Sequence, residues 1–315
     1  MPRYDYVTLG HVTADVLAAD GSRRPGGTAF YSALQAARLE LRTLILTKGN
    51  PQEIEALLDP YRSEFDLTVL PAEHTTTLRT SGAGSERRQR LLAWAGPIAG
   101  PIEVDTAILH LAPVARETPR VWFDGHSRRT SFVGLTPQGL VRQWDAQGEI
   151  SPAPLQRELF PERCDALVLS EHELASCGEL ISAAFADRTP MATTPADRAP
   201  IPTAPADRAP IPTIPGDRAL VAITAGAQPT TLRLPDGRLL HVPVPPIEAP
   251  LDDLGAGDVF TAGLFIALRE GRPPAEAAAF ANAAAAVRIS GAGPGAIGDR
   301  RAIEARLETT TRAGD

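Results

Sequence analysis

Lysine is nearly missing from this chain. Lys48 is the single one among 315 residues, and arginine supplies the rest of the positive side chains. The net charge is −7, so the basic surface that nucleic-acid binders carry is not expected, and a nucleic-acid partner is set aside. With alanine and proline abundant, the lysine scarcity reads as coding bias. There are two cysteines, Cys164 and Cys177, too few for a disulfide framework; free thiols in a reducing compartment are expected. The six histidines fall at no metal-ligand spacing and no Cys-x-x-Cys occurs, which argues against a zinc site. No apolar run reaches the ~18 residues that a membrane helix needs. The alanine-rich stretch 275–287 is interrupted by Glu276 and Asn282 and reads as a packed soluble helix. The opening Met-Pro-Arg-Tyr-Asp-Tyr lacks a basic-then-apolar leader. A cytoplasmic protein without membrane contact is the expectation.

The composition itself, 43% hydrophobic and 22% charged, is that of a globular chain with a sizeable core. Short apolar runs rich in β-branched residues recur at 6–9, 43–47, 107–111, 121–123, 166–170 and 220–224. Helix-like segments follow several of them, at 28–39, 171–185 and 258–270. Strand, turn and helix in repetition predict βαβ units, and so an α/β fold with a mostly parallel sheet and helices on both faces. Ligands in such sheets bind at the carboxyl ends of the strands.

Residues 187–218 break this rhythm. A ten-residue unit repeats there, with Asp-Arg at 187, 197, 207 and 217. The unit is too short for a solenoid, and its prolines forbid helix and ladder pairing. It reads as a disordered surface insertion; the P-x-x-P pattern at 202–205 and 212–215 also fits a polyproline ligand. Residues 81–90, Gly-rich and then basic, read either as a solvated turn or as a flap whose arginines reach a phosphate.

One constellation carries chemistry. In 252–258, Asp-Asp-Leu-Gly-Ala-Gly-Asp, an acidic pair leads into two glycines, and a long apolar helix is expected to begin at or just after Asp258. Glycines let backbone N–H groups approach a ligand closely, and a helix N-terminus attracts anions. A carboxylate beside such an anion hole makes sense if a hydroxyl lies between them, with Asp258 accepting its proton during attack on a phosphate. Asp258 acting only as the helix N-cap is the competing reading. Gly-Ala-Gly recurs at 82–84 and 291–293, so the tripeptide alone is nonspecific.

The segment 252–258 resembles the D-T-x-G-A-G-D signature of the ribokinase (PfkB) family of carbohydrate kinases. Pro25-Gly26-Gly27-Thr28-Ala29 resembles that family's N-terminal Gly-Gly turn, and the two motifs stand in the family's order and spacing. The segments Gly26–Leu39 and Val133–Asp145 resemble an inositol-kinase-like branch more than ribokinase itself. The resemblance implies a single ribokinase-like three-layer α/β sandwich over 1–315, with a small β lid from about 11–27 and 72–98. It implies an ATP-dependent, Mg²⁺-using kinase acting on a hydroxyl of a sugar, sugar alcohol or cyclitol, with Asp258 as base and Gly255, Ala256 and Gly257 as anion hole. Asp15, Gly26, Gly27 and Thr28 would meet the substrate. Thr224, Gly226, Asn282 and Gly293 would meet the nucleotide, the last in the loop 291–295. Glu173, in Ser170-Glu-His-Glu173, matches the family's N-x-x-E motif and would orient magnesium through water, with Ser170 in place of the usual Asn. Otherwise Glu173 is an ordinary helix-start glutamate, and Asn282 a surface residue of its helix. Asp252 and the 291–295 loop would frame a monovalent cation such as K⁺, with Asp253 in place of the usual Thr leaving that site open. Relatives often form homodimers through the lid. A nucleoside kinase, or a non-catalytic metabolite-binding protein on the same fold, are the alternatives.

Overall fold

The computed structural model describes residues 4–17, 21–82, 88–99, 104–118, 130–161, 163–186, 219–248 and 250–314. The repeat 187–218 and the expected strand at 121–123 lie outside them. The N-terminal part runs β1 (Tyr4–Leu9), β2 (Thr13–Leu17), β3 (Arg23–Gly26), α1 (Thr28–Arg38), β4 (Thr43–Gly49), α2 (Pro51–Leu58), β5 (Asp66–Pro71), β6 (Thr77–Ser81) and β7 (Arg88–Ala93). The middle continues through β8 (Thr106–Leu111), β9 (Thr130–Leu135), β10 (Arg142–Trp144), β11 (Ile150–Pro152), β12 (Ala166–Ser170) and α3 (Glu171–Ala186). The C-terminal part comprises β13 (Leu220–Ala225), β14 (Gln228–Arg233), β15 (Leu239–Val242), α4 (Ala256–Arg269), α5 (Pro274–Ile289) and α6 (Arg300–Gly314).

Nine strands form the main sheet, in the order β15-β14-β13-β12-β9-β8-β1-β4-β5. From β5 to β13 every pairing is parallel, and β14 and β15 add an antiparallel edge. The parallel strands are continuous apolar runs because both sheet faces are covered. Alternate residues separate to the two faces: Tyr6, Ile45, Ile108 and Val168 pack toward α1, α4, α5 and α6, while Val7, Leu44, Leu109 and Leu167 pack toward the side holding Leu174 and Cys177 of α3. Both cysteines are free and buried. The α/β fold expected from the sequence is thus the one observed.

A second sheet, β3-β2-β6-β7, pairs β2 in parallel with β6 and stands apart from the main one. Its strands are short and partly polar, and the reading of strands as apolar runs passed them over. In the basic segment 81–90, Arg90 donates to the Gln147 carbonyl at 2.6 Å and pairs with Glu149 at 3.6 Å. That exposed arginine lies against residues 147–149 and not toward a phosphate; residues 83–87 of the segment lie outside the described residues. No described helix is long and apolar enough to cross a membrane.

Candidate active site

Helix α4 starts two residues earlier than the sequence suggested. Gly255 is its N-cap at φ +80°, a left-handed conformation that glycine adopts without a steric cost. Asp258 is therefore the third residue of the first turn, and the N-cap reading is overturned. The Ala256 N–H is committed to the Asp253 carbonyl at 3.2 Å, whereas the N–H groups of Gly255, Gly257 and Asp258 have no backbone acceptor among the described residues. The free donors of this turn are thus those three, and Ala256 is not among them. A Cβ on Gly257 would meet nothing within 4 Å, so the backbone there faces open space.

Asp258 is fixed against α1 by the hydroxyl of Ser32, which donates to the Asp258 carbonyl at 3.0 Å. Its carboxyl is pushed up to about 7, chiefly by burial, with the carboxylates of Glu173 and Asp15 adding to the rise. The neighbouring Thr28 hydroxyl and the Arg142 guanidinium pull the other way. Asp258 still keeps part of its surface open, which is the condition for exchanging a proton with a ligand. Thr28 is buried beside it, and its Oγ1 makes no hydrogen bond of normal geometry among the described residues.

The Gly26-Gly27 turn brings the acceptor-side residues together. Asp15, on β2, is buried and accepts from Thr13 Oγ1 at 2.7 Å. The ladder pairs it with Arg24 of β3, and a Cβ on Gly26 would overlap the Asp15 carboxylate. Gly27 caps α1 at φ +89°. Gly26→Ala is accordingly expected to displace Asp15, weakening binding of any hydroxyl ligand held there by about 1–3 kcal/mol while β2–β3 pairing persists; isothermal titration of the acceptor checks it.

Two cavities share Pro250 and Asp253 in the segment before α4, and neither is lined by Gly26, Gly27, Thr28, Gly255 or Asp258. One, of about 400 Å³, is walled by Asp15, Arg24, Asp252 and Asp253 among others. The other, of about 660 Å³, takes in Thr224, Gly226, Asn282, Asp253, Ala256 and Gly257, and is closed by apolar side chains, among them Ile247, Phe260 and Ile289. Three of the four residues expected at a nucleotide therefore share one cavity. Gly293 is not on its walls; its N–H donates to Asp252 Oδ2 at 3.1 Å. Asn282 is buried, contrary to the surface reading. Its Oδ1 accepts from Thr230 at 2.8 Å, and its Nδ2 donates to the carbonyls of Val242 and Pro243 at 3.4 and 3.0 Å. Its amide thus ties α5 to the strand edge and shapes the cavity wall.

Glu173 and Ser170 form a reciprocal capping pair at the start of α3, with Ser170 N–H donating to Glu173 Oε2 at 2.8 Å and Glu173 N–H donating to Ser170 Oγ at 3.4 Å. No group of three or more His, Cys, Asp or Glu residues able to hold a metal occurs among the described residues. Asp252 is turned toward cations already present: Arg288 Nη2 lies 3.0 Å and Arg24 Nη1 3.4 Å from its Oδ2. Burial pushes its carboxyl up, but the Leu254 N–H, Arg288 and the Gly293 N–H outweigh this and hold it below the usual carboxylate range.

Sequence reasoning missed Arg24, Arg142 and Arg288. Arg142 donates to the Val114 carbonyl at 3.0 Å and to Gln89 Oε1 at 2.6 Å, and is close enough to act on Asp258. Arginine is common in this chain, and nothing in the one-dimensional pattern sets these three apart.

Residues 201–299 match the model of the pfkB family carbohydrate kinases. That match takes in the 252–258 segment, and the solved structures that follow share the ribokinase fold. That family's enzymes are phosphotransferases with an alcohol group as acceptor, and the resemblance read from the sequence is borne out. Among solved structures, a pyrophosphate-dependent kinase of the ribokinase family complexed with a pyrophosphate analogue and myo-inositol is 19% identical, with a TM-score of 0.70, over 95% of this chain and 99% of that one. Ribokinase of Arabidopsis thaliana complexed with ribose and ATP is 19% identical, with a TM-score of 0.68, over 98% and 99%. Ribokinase of Thermotoga maritima is 20% identical, with a TM-score of 0.69, over 97% and 99%. No curated protein matches the sequence.

Proposed function

We propose that this chain transfers the γ-phosphoryl group of ATP to a hydroxyl of a sugar, sugar alcohol or cyclitol. One observation carries the reading: the apolar cavity and the acidic cavity share Pro250 and Asp253 as a common wall, next to the free N–H groups that open α4. A nucleotide in the first and a polyol in the second would meet at Gly255–Asp258. Asp15 accepts acceptor hydroxyls beside the Gly26-Gly27 turn and Thr28, and Asp258 takes the proton of the attacking oxygen. The new oxygen–phosphorus bond forms as the bond to the β-phosphate oxygen breaks. The N–H groups of Gly255, Gly257 and Asp258 stabilise the charge on the phosphoryl oxygens in flight.

The apolar walls favour a nucleoside triphosphate over pyrophosphate, because Phe260, Ile247 and Ile289 offer pyrophosphate nothing. Magnesium would be held as a largely hydrated ion with Glu173 as a water-mediated partner; among the described residues no group of three or more His, Cys, Asp or Glu could hold it directly. We read the β3-β2-β6-β7 sheet as a lid over the acceptor, within a single kinase domain. Leu92 and Trp94, 41% and 39% exposed in and beside β7, are what a dimer contact through that lid would cover. The enzyme is placed in the cytoplasm.

The test is a panel of inositols, linear polyols, pentoses, hexoses and nucleosides, each with ATP or pyrophosphate, read by mass of the product. Phosphorylation of one polyol or sugar class with ATP is expected. Use of pyrophosphate alone would overturn the donor assignment, and phosphorylation of nucleosides alone the acceptor assignment. Tight ligand binding with no turnover by either donor would favour a binding protein.

A further inference from the structure

Arg288 lies near the C-terminal end of α5 with no solvent exposure at all. Its Nη1 donates to the carbonyls of Asp252 and Gly291, both at 3.1 Å, and its Nη2 to Asp252 Oδ2 at 3.0 Å and the Leu254 carbonyl at 2.7 Å. The guanidinium carbon stands 5.7 Å from the centre of the Tyr31 ring. Three carbonyl oxygens and a carboxylate oxygen, drawn from two separate loops, thus converge on one buried positive charge. Oxygens in that arrangement are what a weakly hydrated monovalent cation also requires, and the sequence resemblance implied such an ion between Asp252 and the 291–295 loop.

The residues present do not fit that ion. Their oxygens are taken by a charge the chain itself carries. An added cation would stand beside Arg288 in a region with little water to screen the repulsion. We propose that the Arg288 guanidinium is a built-in replacement for the monovalent cation: it fixes the 252–254 segment, and through it the N–H groups of Gly255 and Gly257, so that neither K⁺ nor Na⁺ is needed. Arg288 is then a positioning residue, acting through the turn before α4. A planar fork suits this role, because it spans two loops with directed donors where a spherical ion would bind isotropically. The activity consequence rests on the kinase reading; the ion-binding consequence does not.

The first experiment uses the wild-type chain. Its melting temperature, with an ATP analogue present, is followed in chloride salts of K⁺, Na⁺, Cs⁺ and tetramethylammonium at equal ionic strength. No cation-specific stabilisation is expected, and saturable stabilisation by K⁺ or Na⁺ overturns the proposal. This arm remains decisive even if no substrate is ever turned over, an outcome that would count against the kinase reading alone. Turnover, once a substrate is in hand, should be the same in K⁺ and tetramethylammonium; activation by K⁺ of about tenfold or more would overturn it. Arg288→Ala should lose turnover and regain at least about tenfold of it with K⁺, Cs⁺ or guanidinium but not with tetramethylammonium. A folded, inactive Arg288→Ala protein that no cation rescues would also overturn the proposal, as would one that is fully active without any. Should that variant fail to fold, the wild-type arms decide.

Discussion

Asp258→Asn is expected to lower turnover by about 10²–10⁴-fold, the usual contribution of a general base, while making the folded protein more stable at pH 8. The two effects have one cause. Burial, with Glu173 and Asp15 nearby, pushes the Asp258 carboxyl up to about 7 from 3.8. A base tuned there is half ionised near neutrality and strong enough to accept a hydroxyl proton in flight. Wild-type kcat/KM should therefore fall below about pH 7 as a single proton is taken up, and the variant's residual activity should lack that limb. Undiminished turnover by Asp258→Asn on the same substrate would remove Asp258 from the role of base.

The stability effect follows from linkage. A carboxyl whose folded value is raised binds its proton more tightly in the folded state. The stability it contributes is fully present below 3.8 and is lost as pH rises through about 7. Above that, the native protein carries a buried carboxylate offset only in part by Arg142 and the Thr28 hydroxyl. Asparagine removes the charge, so wild type and variant should diverge in melting temperature across this window and run parallel above it. For a chain of this size each kcal/mol corresponds to at most about 2–4 °C. Equal melting temperatures at pH 5 and pH 8 in both proteins would mean that the carboxyl is not strained by its surroundings.

How far this site could be read from the sequence depended on which interactions are local. The cores of β1, β4, β8, β12 and β13 were visible as apolar runs because parallel strands are covered on both faces. The short strands of the second sheet were not, since a segment such as Arg-Arg-Pro-Gly in β3 carries no strand signature. The start of α4 was misplaced because Gly-Ala-Gly looks like a loop, whereas Gly255 alone turns the chain and Ala256 is already helical. The glycine motifs were legible because backbone geometry constrains residue type at single positions. Asn282 was noticed for the right oddity, an amide among alanines, but its partners Thr230, Val242 and Pro243 are some 40 to 50 residues away. Arg288 was invisible for the same reason: its meaning lies in Asp252 and Leu254, 36 and 34 residues away, which only folding brings to it.

Gly255→Ala should both destabilise the protein and slow it. The residue sits at φ +80°, a conformation that costs a non-glycine residue about 1–2 kcal/mol. The new Cβ would also overlap the Tyr31 ring. That ring cannot withdraw easily: it is 1% exposed, its centroid stands 5.3 Å from that of Phe30, and the Arg288 guanidinium stands over it at 5.7 Å. Overpacking of this kind adds about 1–3 kcal/mol, so a total loss of about 2–5 kcal/mol is expected in urea unfolding. Rotation of the turn would also misdirect the N–H groups, lowering turnover by about 10²–10³-fold as for a lost oxyanion donor. Gly257→Ala separates the two effects. Its Cβ meets no neighbouring atom, and alanine is the better helix former by up to about 1 kcal/mol, so the folded state should be unharmed. Its methyl would stand in the wall of the apolar cavity, where the phosphates must approach the backbone. A stable but slow Gly257→Ala beside an unstable and slow Gly255→Ala would assign Gly255 to holding the turn and Gly257 to admitting the ligand. A fully active Gly257→Ala would show that the phosphoryl group passes elsewhere.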